Sequence, residues 1–91
     1  MKLIDIFNNL SDLYEEGTIY ATEPWNEDAE AFVAKEPENG GLPAEAPYGV
    51  RYFLEAAIVL ELVQDWTASQ IEPPTSFSTC KRVIEYAIND A

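Results

Sequence analysis

The stretch Val50-Arg51-Tyr52-Phe53-Leu54-Glu55-Ala56-Ala57-Ile58-Val59-Leu60-Glu61-Leu62-Val63-Gln64-Asp65-Trp66-Thr67 decides the fold. Its second part is helical. Ala56, Val59, Val63 and Trp66 share one stripe, Leu60 and Leu62 widen it, and Glu55, Glu61, Gln64 and Asp65 fall mostly elsewhere. The stripe marks Trp66 as a structural residue of the helix core. Val50 to Leu54 reads as a strand that hands over to the helix near Glu55. The alternative is a helix that starts as early as Tyr52.

Working outward, Glu36 to Pro47 carries Pro37, Gly40, Gly41, Pro43 and Pro47, so it forms no regular element, and Gly49 ends it. Upstream, Thr18-Ile19-Tyr20-Ala21 is β-prone, and a second strand is expected around Ala31 to Ala34, joined to the first by a loop carrying Trp25. Leu3, Ile6, Phe7 and Leu10 have the i, i+3, i+4, i+7 spacing of one helical face. Asn8 and Asn9 keep that helix short, and Gly17 suits its end. Downstream, Pro73 and Pro74 force an extended connection. A last helix follows, capped by Ser76 or Ser78, with Cys80, Val83, Ile84, Ala87 and Ile88 as its apolar face. The expected architecture is α+β, with residues 1–91 as a single domain. Two or three short antiparallel strands pack against a long helix, and N-terminal and C-terminal helices complete a two-layer arrangement.

Charge bounds the function. Asp and Glu number 17 against 5 Lys and Arg, a formal net charge of -12 on 91 residues, and there is no His. Small soluble domains carry roughly 2 to 8 net charges. Yet 47% of the chain is apolar, with two Trp, five Tyr and four Phe, so the composition is that of a folded domain rather than a disordered tail. An acidic surface repels nucleic acid and anionic membranes and attracts basic partners. The short N-terminal apolar run contains Asp5 and is not a signal peptide, and no stretch is long enough to span a bilayer. The expected location is cytoplasmic.

Little catalytic chemistry is open to such a chain. Without His, the usual general base near neutral pH is missing, and triads and zinc sites that need it are excluded. The lone Cys80 lies on an apolar helix face and reads as core. Gly40-Gly41 is followed by Leu42-Pro43 and is a chain reversal, not a phosphate loop. Glu27, Asp28 and Glu30, with Glu23 nearby, are the carboxylates with potential for acid–base or cation chemistry. As a calcium loop, Glu27 to Glu38 would have Phe32 where glycine is required. We therefore expect no enzyme activity and no cofactor.

Protein binding is the favoured reading, with Glu23, Trp25, Glu27, Asp28, Glu30 and Tyr48 as candidate contact residues. Aromatic anchors dominate many interfaces, and acids around one suit a basic target. For Trp25 the other role is a plug of the core from its loop. The suspected partner is a basic protein. The alternatives are a homodimer seeded by an exposed sheet edge and a small carboxylate-based metal-binding protein.

Thr18-Ile19-Tyr20-Ala21-Thr22-Glu23-Pro24-Trp25, Gly40-Gly41-Leu42-Pro43, Tyr52-Phe53-Leu54-Glu55 and Ile84-Glu85-Tyr86-Ala87-Ile88-Asn89-Asp90-Ala91 together resemble a family of small, acidic, uncharacterised bacterial proteins. The resemblance covers nearly the whole chain and implies no particular activity. In size, acidity and lack of catalytic groups the chain also looks like the immunity proteins of bacterial toxin systems.

Overall fold

The computed structural model describes residues 1–90. In chain order they form α1 (Leu3–Asn8), a 3-10 turn (Leu10–Asp12), β1 (Thr18–Thr22), β2 (Ala31–Ala34), β3 (Val50–Glu55), α2 (Ala56–Ala68) and α3 (Ser76–Asp90). The strands make one antiparallel sheet in the order β2-β1-β3. This is a small α+β domain, as the sequence pattern implies.

The strand-to-helix handover falls at Glu55, whose extended backbone leads directly into α2. The first N–H of the helix is satisfied from outside: Ala56 N donates to the Gly17 carbonyl at 3.0 Å. One feature of β3 is absent from any simple alternation. Tyr52 pairs with Tyr20 and Leu54 with Ile19, which leaves Phe53 as the extra residue of a β-bulge. A bulge re-aims its side chains, so the consecutive Phe53 and Leu54 are both buried in the same core.

That core lies on one face of the sheet. Ile19, Ala21, Ala31, Phe53 and Leu54 meet Leu3, Ile6 and Phe7 of α1 and Cys80, Val83, Ile84 and Ala87 of α3. Most of the fully buried helical residues over the sheet thus come from α1 and α3. The long helix α2, expected to lead that layer, adds Val59 to the core, with Ile58, Leu62 and Val63 packed against it from the half-buried part of its stripe. Its stripe is real, but beyond Val59 no residue on it is fully buried.

Local chemistry accounts for the other element ends. Asp5 Oδ2 accepts the Lys2 N–H at 2.8 Å and closes the start of α1. The Asn9 amide donates to the Asp5 carbonyl at 3.0 Å, so a side chain competes for the backbone where the helix stops. Gly17, expected to end this helix, has a different role. A Cβ there would lie 2.8 Å from Tyr14 Cε2 and 3.1 Å from Val33 Cγ1, so glycine permits a close approach. The cap of α3 is Thr75 rather than Ser76 or Ser78: its hydroxyl oxygen accepts the Ser78 N–H at 3.0 Å. Pro73 and Pro74 hold the chain extended up to Thr75, so the helix begins at the first residue after it.

Candidate functional site

Four of the candidate contact residues, Glu23, Glu27, Asp28 and Glu30, sit with Trp25 in or beside the β1–β2 loop, but the chain's own cations meet three of them there. Arg51 Nε lies 3.0 Å from Glu23 Oε1, Lys2 Nζ lies 3.5 Å from Asp28 Oδ1, and the N-terminal amine lies 3.5 Å from Glu30 Oε1. The backbone reinforces the approach of the N-terminus: Leu3 N donates to Ala29 O, Ile4 N to Glu27 O and Ala31 N to Met1 O. These ion pairs are solvent-exposed and individually weak, yet they lower the local negative field that a basic partner would meet.

Trp25 is held from two sides. Its indole Nε1 donates to the Ala21 carbonyl at 3.3 Å, and its ring meets Phe53 edge-on, with centroids 5.0 Å apart and planes at 87°. Such edge contacts add about 1 kcal/mol to area burial. The half-buried ring packs against the hydrophobic core. Tyr48 stands apart from this loop. It is fully exposed and borders a shallow hollow with Leu42, Pro43 and Tyr52. The structure therefore brings the four acids and Trp25 into one loop region and places Tyr48 in another environment.

Two buried polar groups stand out. Cys80 is inaccessible; burial first, and the Glu27 carboxylate second, push its thiol pKa up to about 12. It is a protonated core side chain with none of the properties of a reactive thiol. Tyr20 is buried on the sheet face opposite Ile19 and Ala21, and its hydroxyl has no hydrogen-bond partner among the described residues. Burial, helped by the Glu36 carboxylate, raises the Tyr20 pKa; the Thr18 hydroxyl opposes this but does not reach hydrogen-bond geometry. Among the described residues, no three His, Cys, Asp or Glu side chains converge to hold a metal ion. Nor is any helix among them long and apolar enough to cross a membrane.

The concave site that sequence reasoning missed lies between α2 and α3. Leu62, Val63, Trp66, Val83 and Tyr86 line a cavity of about 250 Å³, with Thr79 and Ser69 at its polar points and Asp65 and Arg82 on its walls. This falls just below the roughly 300–1,000 Å³ of small-molecule sites and suits one or two side chains. Trp66 is half-buried, does not pack against the main core, and makes no indole hydrogen bond among the described residues. The helical stripe containing Trp66 was visible in the sequence; the depth at which α3 leaves it uncovered was not.

The chain was compared with protein-family models, curated proteins and solved structures, and nothing matches.

Proposed function

We propose that this chain is a non-enzymatic acidic protein-binding module whose partner is a basic protein, in its sharpest form a toxin neutralised in the manner of an immunity protein. The observation that carries the reading is the surplus of exposed carboxylates. Asp12, Glu15, Glu16, Glu36, Glu38, Glu45, Glu55, Glu61, Asp65 and Glu72 are all exposed, and none makes an ion pair among the described residues. Such a surface accelerates encounter with a cationic protein and repels nucleic acid, and neutralisation would follow from steric occlusion of the partner's own anion-binding face. Affinity capture from a lysate of the source cell tests this. A single basic protein that stays bound at moderate salt supports the module, and loss of every bound protein at moderate salt contradicts it.

Self-association has one observation in its favour: β3 is an edge strand in the order β2-β1-β3. Sedimentation over a concentration series checks it, and a strict monomer at high concentration removes it.

A further inference from the structure

We infer that the groove between α2 and α3, continued past the end of α2 along the α2–α3 connection to Ile71, is a docking site for a basic amphipathic helix of a partner protein. This rests on the acidic-module reading and specifies where and how the partner is held.

The apolar pattern of α2 exceeds what the fold buries. Ala56 and Val59 are fully buried, whereas Ile58, Leu60, Leu62, Val63 and Trp66 keep part of their surface exposed, with Ile58, Leu62 and Val63 also packed against the core. A helix of one isolated domain normally exposes a polar face opposite a buried apolar one. Here Leu62, Val63 and Trp66, neighbours along the helix, line one groove. Beyond it Ile71 is fully exposed, in a hollow that shares Trp66 and Ser69 with the groove. An apolar groove beside a helix is the form in which amphipathic helices are recognised.

Charge selects the occupant. From Ala56 to Thr75 the charged residues are Glu61, Asp65 and Glu72, with no Lys or Arg. Asp65 lies on the groove wall and Glu72 at its open end. The base on the facing wall is Arg82, and Glu85 Oε2 lies 3.9 Å from its guanidinium. An apolar channel with an acidic rim matches an amphipathic helix whose polar flank carries Lys or Arg. A second copy of this chain would bring the same acidic α2 and its own net charge of -12. Trp66 supplies the rigid aromatic anchor that such interfaces use.

The test uses two fluorescent peptides: a synthetic amphipathic helix of Lys and Leu, and the same composition scrambled to destroy its apolar face. Binding is read by anisotropy at moderate salt. The amphipathic peptide binds the wild-type protein and the scrambled one does not. Trp66→Ala, and separately the pair Asp65→Lys with Glu72→Lys, each weaken binding about tenfold or more, as expected for an anchor and its charged rim. The pair Glu36→Lys with Glu45→Lys, equal in charge change but outside the groove, changes binding by less than about threefold, the size of a rim electrostatic effect. Circular dichroism confirms that all variants stay folded.

Equal binding of both peptides, or equal loss from both charge pairs, overturns the docking site while leaving a general acidic module in place. Capture of a basic lysate protein whose retention is unaffected by Trp66→Ala also overturns it. Sedimentation showing a wild-type dimer that Trp66→Ala dissociates would assign the groove to a second copy and overturn the basic helix. Failure of the module itself is read separately, from capture that retains no basic protein at moderate salt.

Discussion

The two tryptophans of this chain sit in opposite kinds of environment, each the reverse of what its sequence neighbours suggest. Trp25 lies among Pro24, Asn26, Glu27 and Asp28, yet its indole is hydrogen-bonded and its ring is wedged against Phe53 and the core. Trp66 lies on an apolar helical stripe, yet its ring packs against a groove that the domain leaves open. Periodicity shows which side of a helix is apolar. Whether that side is covered depends on how far the neighbouring elements reach, and α3 faces Leu62, Val63 and Trp66 across a groove that it does not fill. A loop residue's burial likewise depends on where the loop folds back, which the polarity of its neighbours does not reveal.

The sharpest way to break this contrast is truncation. Trp25→Ala removes a hydrogen bond and an edge contact next to the core, and we expect it to cost about 3 kcal/mol, a large share of a small domain's stability. Trp66→Ala is expected to cost less, about 1–2 kcal/mol, because its half-buried ring packs outside the main core and its indole makes no hydrogen bond among the described residues. Urea denaturation measures both. Equal losses would mean that the groove is part of the core.

Cys80 offers the next test of how tightly the base of the domain is closed. Its thiol pKa is raised to about 12 in the folded chain, against roughly 8.5 for an unfolded thiol. The unfolded state therefore loses this proton first as pH rises. The thiol's contribution to stability is intact below about pH 8.5 and declines as pH rises from there towards 12. Cys80→Ala should flatten that part of the stability profile. In the native protein a thiol reagent at pH 8 should react only at the rate of opening; immediate reaction would contradict the burial.

A smaller effect probes the groove side. Thr75→Ala removes the α3 cap and should cost about 1 kcal/mol in thermal or urea unfolding. The smallest effect has the opposite sign. Tyr20→Phe deletes a buried hydroxyl without a protein partner, and the variant should match the wild type or gain up to about 1 kcal/mol. A clear loss of stability would show that the hydroxyl is satisfied in solution.

Much of the framework was legible in the sequence. The handover at Glu55, the second strand over Ala31 to Ala34 and the apolar face of α3 followed from period and punctuation alone, except that Ile88, expected on that face, is exposed because the last turn of α3 runs past the core. The bulge at Phe53 did not, because two adjacent large apolar residues look the same whether the strand is regular or bulged. Gly17 was legible as a special position but not for its reason, since Tyr14 and Val33 reach it only through tertiary packing. The choice of Thr75 over Ser76 and Ser78 as cap turned on where the chain after Pro74 first becomes helical, and three neighbouring hydroxyls disguise that point. In the candidate site, the clustering of Glu23, Glu27, Asp28 and Glu30 was visible in the chain. The arrival of Lys2, Arg51 and the N-terminal amine beside three of them was not, because those cations come from distant positions.

On the docking proposal, the partly open apolar groove at Trp66, rather than the loop at Trp25, receives a basic partner. A two-dimensional nitrogen–proton spectrum of the labelled wild-type protein tests it directly, because each indole N–H gives its own signal. On titration with the amphipathic Lys–Leu peptide, the Trp66 indole signal should move and saturate while the hydrogen-bonded Trp25 signal stays in place. Movement of the Trp25 signal with a stationary Trp66 signal would contradict the account and return the interface to the β1–β2 loop.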